Sequence, residues 1–209
     1  GFILALPFAK RAFSNLPAPD LKSYYLRRVT RIEPPYVICL LLLFLLHWRD
    51  SGEATTWIPN LLASLFYAHG LVFGRESVVN GVTWSLEIEI QFYILVPLLV
   101  WIFRLRNAAM RRIAILAGII GCGYLSIAVI YPSGSVRLPL TLLNFLHYFL
   151  TGFLLADLYL SFASRAIKKR LVWDALTLAS AAAILATLLR FGQFYFVLPL
   201  MIGSLYIGC

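Results

Sequence analysis

The sequence predicts an all-α fold, a polytopic transmembrane helix bundle of about six to eight membrane segments, one of them re-entrant. Three observations predict it. Of 209 residues, 61% are hydrophobic and only 13% are charged, whereas a soluble domain runs about 45–50% apolar and about 25% charged. The apolar residues gather into runs near 1–9, 34–48, 57–73, 84–103, 113–131, 138–160, 172–189 and 194–209, several of them close to the roughly 20 residues a crossing helix needs. The 18 Lys and Arg, against nine Asp and Glu, lie mostly between those runs, where they set membrane topology. Intrinsic disorder, a basic nucleic-acid-binding domain and an ordinary cytosolic enzyme are excluded by the apolar excess. Cys39, Cys122 and Cys209 sit in apolar stretches without metal-ligand spacing and read as small buried hydrophobes.

Taken in order, the run 1–9 opens on Gly1 and the run 194–209 stops at Cys209, so both look cut. Segment 34–48 starts on Pro34 and Pro35, expected in the first turn of a helix, where a missing N–H costs nothing. Segment 57–73 is short and carries Pro59, Asn60, Ser64 and His69. Charge decides whether it crosses. If it does, nine basic residues fall on each side; if it does not, fourteen lie inside and four outside, with residues 10–31, 104–112 and 161–171 cytoplasmic. The second arrangement obeys the positive-inside rule. Segment 57–73 is therefore expected to be re-entrant or surface-lying on the outer side, against protein or a wet cavity. Trp48, Trp57, Trp84, Trp101 and Trp173 near the ends of runs fit interfacial anchors. No internal repeat or linker appears, so residues 1–209 are expected to form a single transmembrane domain, truncated at both ends.

Two polar constellations interrupt this pattern. The first is Tyr24-Tyr25-Leu26-Arg27-Arg28-Val29-Thr30-Arg31-Ile32-Glu33-Pro34-Pro35-Tyr36. Arg28 and Arg31, three apart, share a helix face at the inner surface. They suit the phosphates of a cytoplasmic donor such as a nucleotide or acyl-CoA; on charge alone, topology anchoring and anionic-lipid contact explain them better. The second is Thr83-Trp84-Ser85-Leu86-Glu87-Ile88-Glu89-Ile90-Gln91-Phe92-Tyr93. Glu87 and Glu89 point to nearly opposite faces. Glu87 fits a helix-start carboxylate that complements its own helix dipole. Glu89, about 8 Å below the outer interface, fits that less well, because the dipole effect fades within one turn. Asn144 and His147 share a face, with Asp157 near the inner end of their segment. His147 reads as a proton carrier or an interhelical hydrogen-bonding group. His47 reads as interfacial, and His69 as the histidine best placed to face an outer cavity. Nothing has metal-site spacing, so no metal is expected, and no phosphate-binding or nucleophile-elbow motif is present.

Together these stretches resemble the acyltransferase 3 family of integral membrane O-acyltransferases. The resemblance rests on Gly1-Phe2-Ile3-Leu4; on Arg27, Arg28, Arg31, Ile32, Pro34 and Tyr36 in an Arg-Arg-x-x-Arg-Ile-x-Pro-x-Tyr pattern; on Trp84, Ser85, Leu86, Glu89, Gln91, Phe92 and Tyr93 in Trp-Ser-Leu-x-x-Glu-x-Gln-Phe-Tyr; and on Phe149-Leu150-Thr151-Gly152-Phe153-Leu154-Leu155-Ala156. It implies transfer of an acyl group, commonly acetyl, from cytoplasmic acyl-CoA to a hydroxyl of a surface carbohydrate or lipid-linked glycan. It also implies location in the bacterial inner membrane, with the lipid bilayer and the glycan acceptor as partners and no nucleic acid; oligomeric state is left open. Arg28 and Arg31 would hold CoA phosphates and Glu89 would support catalysis. Tyr36, Trp84, Ser85, Gln91 and Tyr93 would serve as substrate or structural positions. The family's histidine lies in a helix upstream of Gly1, and His47, His69 and His147 do not occupy its place, so the chain as given is expected to be inactive. Inner arginines and outer Glu89 would lie on the order of 20 Å apart along the membrane normal. Two rivals are a proton-coupled transporter or flippase using Glu89 and His147, and a noncatalytic membrane scaffold.

Overall fold

The computed structural model describes residues 1–14, 16–17, 19–51 and 54–162. The expected segments 172–189 and 194–209, and all but the first two residues of the loop 161–171, lie outside the described residues. Every regular element described is helical: α1 (Phe2–Phe13), α2 (Leu21–Ser51), α3 (Ala54–Leu65), α4 (His69–Phe73), α5 (Thr83–Leu99), α6 (Ala108–Leu125) and α7 (Leu142–Phe162). Four stretches are long and apolar enough to cross a membrane: Leu21–Arg49, Thr83–Arg104, Ala108–Ile130 and Leu138–Ser161, of 22 to 29 residues. At 1.5 Å per residue even the shortest exceeds a hydrocarbon core of about 30 Å. Their outward faces are apolar: Ile38, Leu42, Leu46, Ile94, Leu98, Ile113, Ile120 and Ile127 are all exposed. Buried instead are Asn60, His69, Glu87, Asn144, His147 and Asp157. Apolar outside and polar inside is what a lipid solvent demands.

Helix boundaries follow local chemistry. Asp20 caps α2: its carboxylate accepts the Ser23 N–H and hydroxyl, each at 2.8 Å. Those bonds hold the Asp20 pKa below the usual carboxylate range. The helix thus begins at Leu21, not near Pro34. Pro34 and Pro35 lie inside it, a correction to the expected first-turn placement. Each proline forfeits one i→i−4 bond, which transmembrane helices tolerate. Arg27, Arg28 and Arg31 therefore ride on the spanning helix itself. Asn107 caps α6 by accepting the Ala109 and Met110 N–H groups at 2.9 and 3.2 Å.

The described chain falls into two compact groups, one made of residues 19–99 and 120–147, the other of the described residues among 1–18, 100–119 and 148–162. In the first, α2 and α5 are antiparallel. The Tyr25 hydroxyl reaches the Ile94 carbonyl at 3.5 Å, and fourteen residues later along α2 Cys39 meets Asn80, fourteen residues earlier in the chain. Residues 57–73 are broken into α3 and α4 and form no continuous span. The break is at Tyr67, whose φ of 54° is left-handed. Its N–H donates to the Ser64 carbonyl at 2.9 Å, and the Ala68 N–H to the Ala63 carbonyl at 2.9 Å. This is the helix-ending pattern that normally recruits glycine.

In the second group, the backbones of α1 and α7 nearly touch. A Cβ on Gly152 would collide with Phe2 N and Gly1 Cα, and one on Gly1 would collide with the Phe149 carbonyl. The opening Gly-Phe motif and the Phe-Leu-x-x-Gly motif are two sides of one glycine-mediated crossing, the close approach that small residues permit in membranes. Asp157 on α7, fully buried, is bonded by Arg111 Nε through Oδ1 and by Arg112 Nε through Oδ2, the latter at 2.7 Å. Arg111 also donates to the Leu105 carbonyl at 2.6 Å and lies 4.6 Å above the Phe13 ring.

Candidate functional site

The chemistry-bearing side chains of the first group converge on α5. An Asn80 turn starts this helix: the Val82 N–H donates to Asn80 Oδ1 at 3.1 Å, and the Thr83 N–H and hydroxyl donate to the Asn80 carbonyl at 3.2 and 2.9 Å. Ser85 is exposed and donates to the Val82 carbonyl at 3.1 Å, so it belongs to the helix start. Beyond it the helix has two polar faces.

One face meets α2. The Tyr93 hydroxyl donates to Glu89 Oε1, one turn earlier. The buried Tyr93 ring lies 5.5 Å from the Arg28 guanidinium carbon, which is also 6.0 Å from the Tyr24 ring. Arg28, Tyr93 and Glu89 thus form a continuous chain from the Arg-Arg-x-x-Arg stretch to the Trp-Ser-Leu-x-x-Glu stretch. Arg28 is about 10 Å along α2 from Leu21, and Tyr93 about 15 Å along α5 from Thr83.

The other face carries Trp84, Glu87 and Gln91, spaced i, i+3, i+7 so that they align. Trp84 packs on Phe145 with ring centroids 5.6 Å apart. Glu87, 2% exposed, accepts the Gly70 N–H at 2.9 Å. Gln91 Oε1 accepts the Leu142 N–H, also at 2.9 Å. One polar stripe therefore satisfies the first turns of α4 and α7, where N–H groups lack intrahelical partners.

Around the α3–α4 break lies a second polar cluster. Fully buried His69 has Nδ1 3.1 Å from the Arg75 carbonyl and Nε2 2.9 Å from Asn60 Oδ1. Burial pushes the His69 pKa below its ordinary value. The Tyr36 hydroxyl donates to the Ser64 carbonyl at 2.6 Å, and its ring stacks on Tyr67 at 4.7 Å. Burial, and then nearby Glu33, push the Tyr67 phenol up. Ser64 and Ser77 share a hydroxyl bond of 2.7 Å. Arg137 reaches over α4, donating from Nε to the Leu71 carbonyl at 3.0 Å.

The acyltransferase domain model of the acyltransferase 3 family (Acyl_transf_3) matches residues 1–209. The chain belongs to the acyltransferase 3 family. It is accordingly an integral membrane protein whose family activity is acyl transfer. No curated protein and no solved structure matches it.

Several positions differ from expectation in this acyltransferase. Glu89 and Arg28 are not some 20 Å apart but joined through Tyr93, because α2 begins at Leu21 and lays Arg28 against α5. Arg28 turns toward aromatic rings while Arg31 is exposed, so the two do not converge on one point. Glu87 complements the start of α4 rather than of its own helix, because the Gly70 N–H lies beside it. His69 is enclosed by hydrogen bonds instead of facing an opening, since the broken segment folds back on itself. Asn144 is held by the Ser126 hydroxyl and donates to the Pro139 carbonyl at 3.0 Å, and His147 is buried. Arg111 and Arg112 sit in the first turns of α6 rather than in a loop, and neutralise Asp157. Sequence reasoning missed the Asp20 cap, although Asp-x-x-Ser is a readable N-terminal signal. It also missed the Tyr67 break, for which no glycine gave warning.

Proposed function

We propose that this acyltransferase moves an acyl group, in the first instance acetyl, from cytoplasmic acyl-CoA to a hydroxyl of a surface carbohydrate or lipid-linked glycan in the bacterial inner membrane. Residues 10–31, 104–112 and 161–171 face the cytoplasm in this reading. In the reaction the thioester C–S bond breaks and an ester C–O bond forms. The acceptor's proton leaves with the CoA thiol.

The observation that carries the reading is the Arg28–Tyr93–Glu89 chain, which joins the family's two most specific stretches. Arg31 and Arg27, exposed on the same helix, are free to meet CoA phosphates, where a guanidinium forks onto two oxygens. Arg28 is held against Tyr24 and Tyr93 and is a positioning residue. Tyr93 fixes the rotamer of Glu89, which is a positioning residue of the α2–α5 contact in this reading.

The test is transfer of label from acetyl-CoA to glycan in membranes carrying the enzyme expressed from its complete coding sequence. Arg31→Lys should raise KM for acetyl-CoA and leave kcat near wild type; an unchanged KM removes the phosphate clamp. Proton-coupled uptake without any acyl-CoA-dependent labelling would replace the reading with transport.

A further inference from the structure

Gln91 is the one residue of the α5 stretch whose hydrogen bonding is half complete. Its Oε1 accepts the Leu142 N–H at 2.9 Å. Its Nε2 is buried and has no hydrogen-bond partner among the described residues. Rotating the amide does not relieve this, because Nε2 would then face the Leu142 N–H, donor against donor. The first N–H of a 21-residue helix thus orients the amide and leaves a donor pointing at nothing of the described chain's own. Leaving a buried donor unsatisfied is costly, so such a group calls for a specific reason.

Position narrows that reason. Gln91 is eight residues past Thr83, about 12 Å along a span of 22 residues. Glu87, one turn earlier on the same face, is committed to the Gly70 N–H. Glu89 and Tyr93, on the opposite face, are committed to each other. The free donor is therefore neutral, fixed in direction and inside the membrane. A neutral amide suits an oxygen that is uncharged on arrival and gains negative charge during reaction. A phosphate would call for the arginines instead.

We propose, resting on the acyl-transfer reading above, that Gln91 Nε2 donates a hydrogen bond to the carbonyl oxygen of the acyl thioester and stabilises its oxyanion in the tetrahedral transition state. The acceptor's hydroxyl oxygen attacks the carbonyl carbon, and the C=O π pair moves onto the oxygen facing Gln91. When that pair returns, the C–S bond breaks and the thiolate takes the proton lost by the hydroxyl. Gln91 transfers no proton; it is a catalytic residue by donation alone. Preorganised donors of this kind act most strongly where water is excluded.

The experiment compares wild type, Gln91→Glu and Gln91→Met in the enzyme expressed from its complete coding sequence. It measures kcat and KM for acetyl-CoA on the alkaline side of neutrality, melting temperature, and affinity for two non-reacting CoA derivatives. One is a thioether without a carbonyl. The other is a trifluoromethyl ketone whose hydrate imitates the tetrahedral intermediate. Glutamate keeps an acceptor for the Leu142 N–H and loses the amide donor; methionine loses both. Both variants should lose about 10²–10³-fold in kcat with KM near wild type, and only Gln91→Met should melt lower. Affinity for the ketone should fall along with kcat, and affinity for the thioether should not change. A kcat within threefold of wild type in a folded variant overturns the assignment, as does equal weakening of both CoA derivatives. If Gln91→Met does not fold, Gln91→Glu decides. A wild-type enzyme that transfers no acyl group sinks the acyl-transfer reading itself, and this inference with it.

Discussion

Replacing Asp157 by Asn removes one negative charge from between two arginines and changes almost nothing in shape. Asp157 is fully buried, and each carboxylate oxygen holds a different guanidinium. The amide can still accept from one arginine, but its NH₂ then points at the other. The Arg111 side chain is 5% exposed and cannot escape to solvent, whereas that of Arg112 is 28% exposed and can be partly solvated. Breaking a buried pair by removing one partner costs about 3–5 kcal/mol, and the half-exposed Arg112 adds at most about 1 kcal/mol. Against a total stability of about 5–15 kcal/mol, that is a large share. At about 2–4 °C per kcal/mol for a chain of this size, the melting temperature of purified protein in detergent should fall by roughly 10 °C. The double variant Arg111→Met/Asp157→Leu should recover most of the loss, since well-packed apolar replacements of a buried ion pair are near neutral. A melting temperature within about 2 °C of wild type for Asp157→Asn, or a double variant no better than the single, would refute this account of the triad.

Other expectations follow from the same contacts. Glu87→Ala should destabilise the fold by about 1–3 kcal/mol by leaving the Gly70 N–H unsatisfied, and Glu87→Gln, which keeps an acceptor oxygen, by much less; equal melting of all three would remove the pin. Tyr93→Phe should keep the Arg28 contact and lose about 0.5–1.5 kcal/mol with the Glu89 bond, whereas Tyr93→Leu should lose the ring contact too; thermal denaturation in a double-mutant cycle with Arg28 separates the two. Burial lowers the His69 pKa, so the folded protein takes up a proton there less readily than the unfolded chain. The contribution of His69 is then fully present above about pH 6.5 and is lost as pH falls below it. Melting between pH 7.5 and pH 5 should flatten in His69→Gln. Gly152→Val should prevent α1 and α7 from closing, seen as loss of folded protein in detergent, while Gly121→Val, where nothing lies within 4 Å, should be tolerated.

The spans were legible because lipid imposes a long, nearly unbroken apolar run. The break in 57–73 was legible from charge bookkeeping, but its location at Tyr67 was not, since a tyrosine in left-handed backbone is held there by stacking on Tyr36, a residue far away in sequence. The aromatic neighbours of Arg28 were missed for a local reason. Hydropathy starts this span at the apolar run 34–48, whereas the Asp20 cap starts the helix thirteen residues earlier, at Leu21. The partners of Glu87 and Gln91 were not readable at all. Helical spacing places both on one face, but nothing in the order of residues says that the first turns of α4 and α7 arrive there.

Why one helix should carry so many polar residues follows from what its neighbours lack. Helix starts within a membrane have N–H groups that water cannot reach. The start of α4 is tied to the polar stripe of α5 by Glu87, and that of α7 by Gln91. The stripe thus serves the starts of α4 and α7 where they meet α5, and its cost is met by backbone bonds. Glu89 and Tyr93 have no such backbone duty. They bond each other and face a cationic side chain of α2, an arrangement the fold does not need in order to close. A scaffold would explain the first face of α5 and not the second. The second face, together with the Gln91 nitrogen that has no partner among the described residues, is where the acyl-transfer chemistry of this family is best sought.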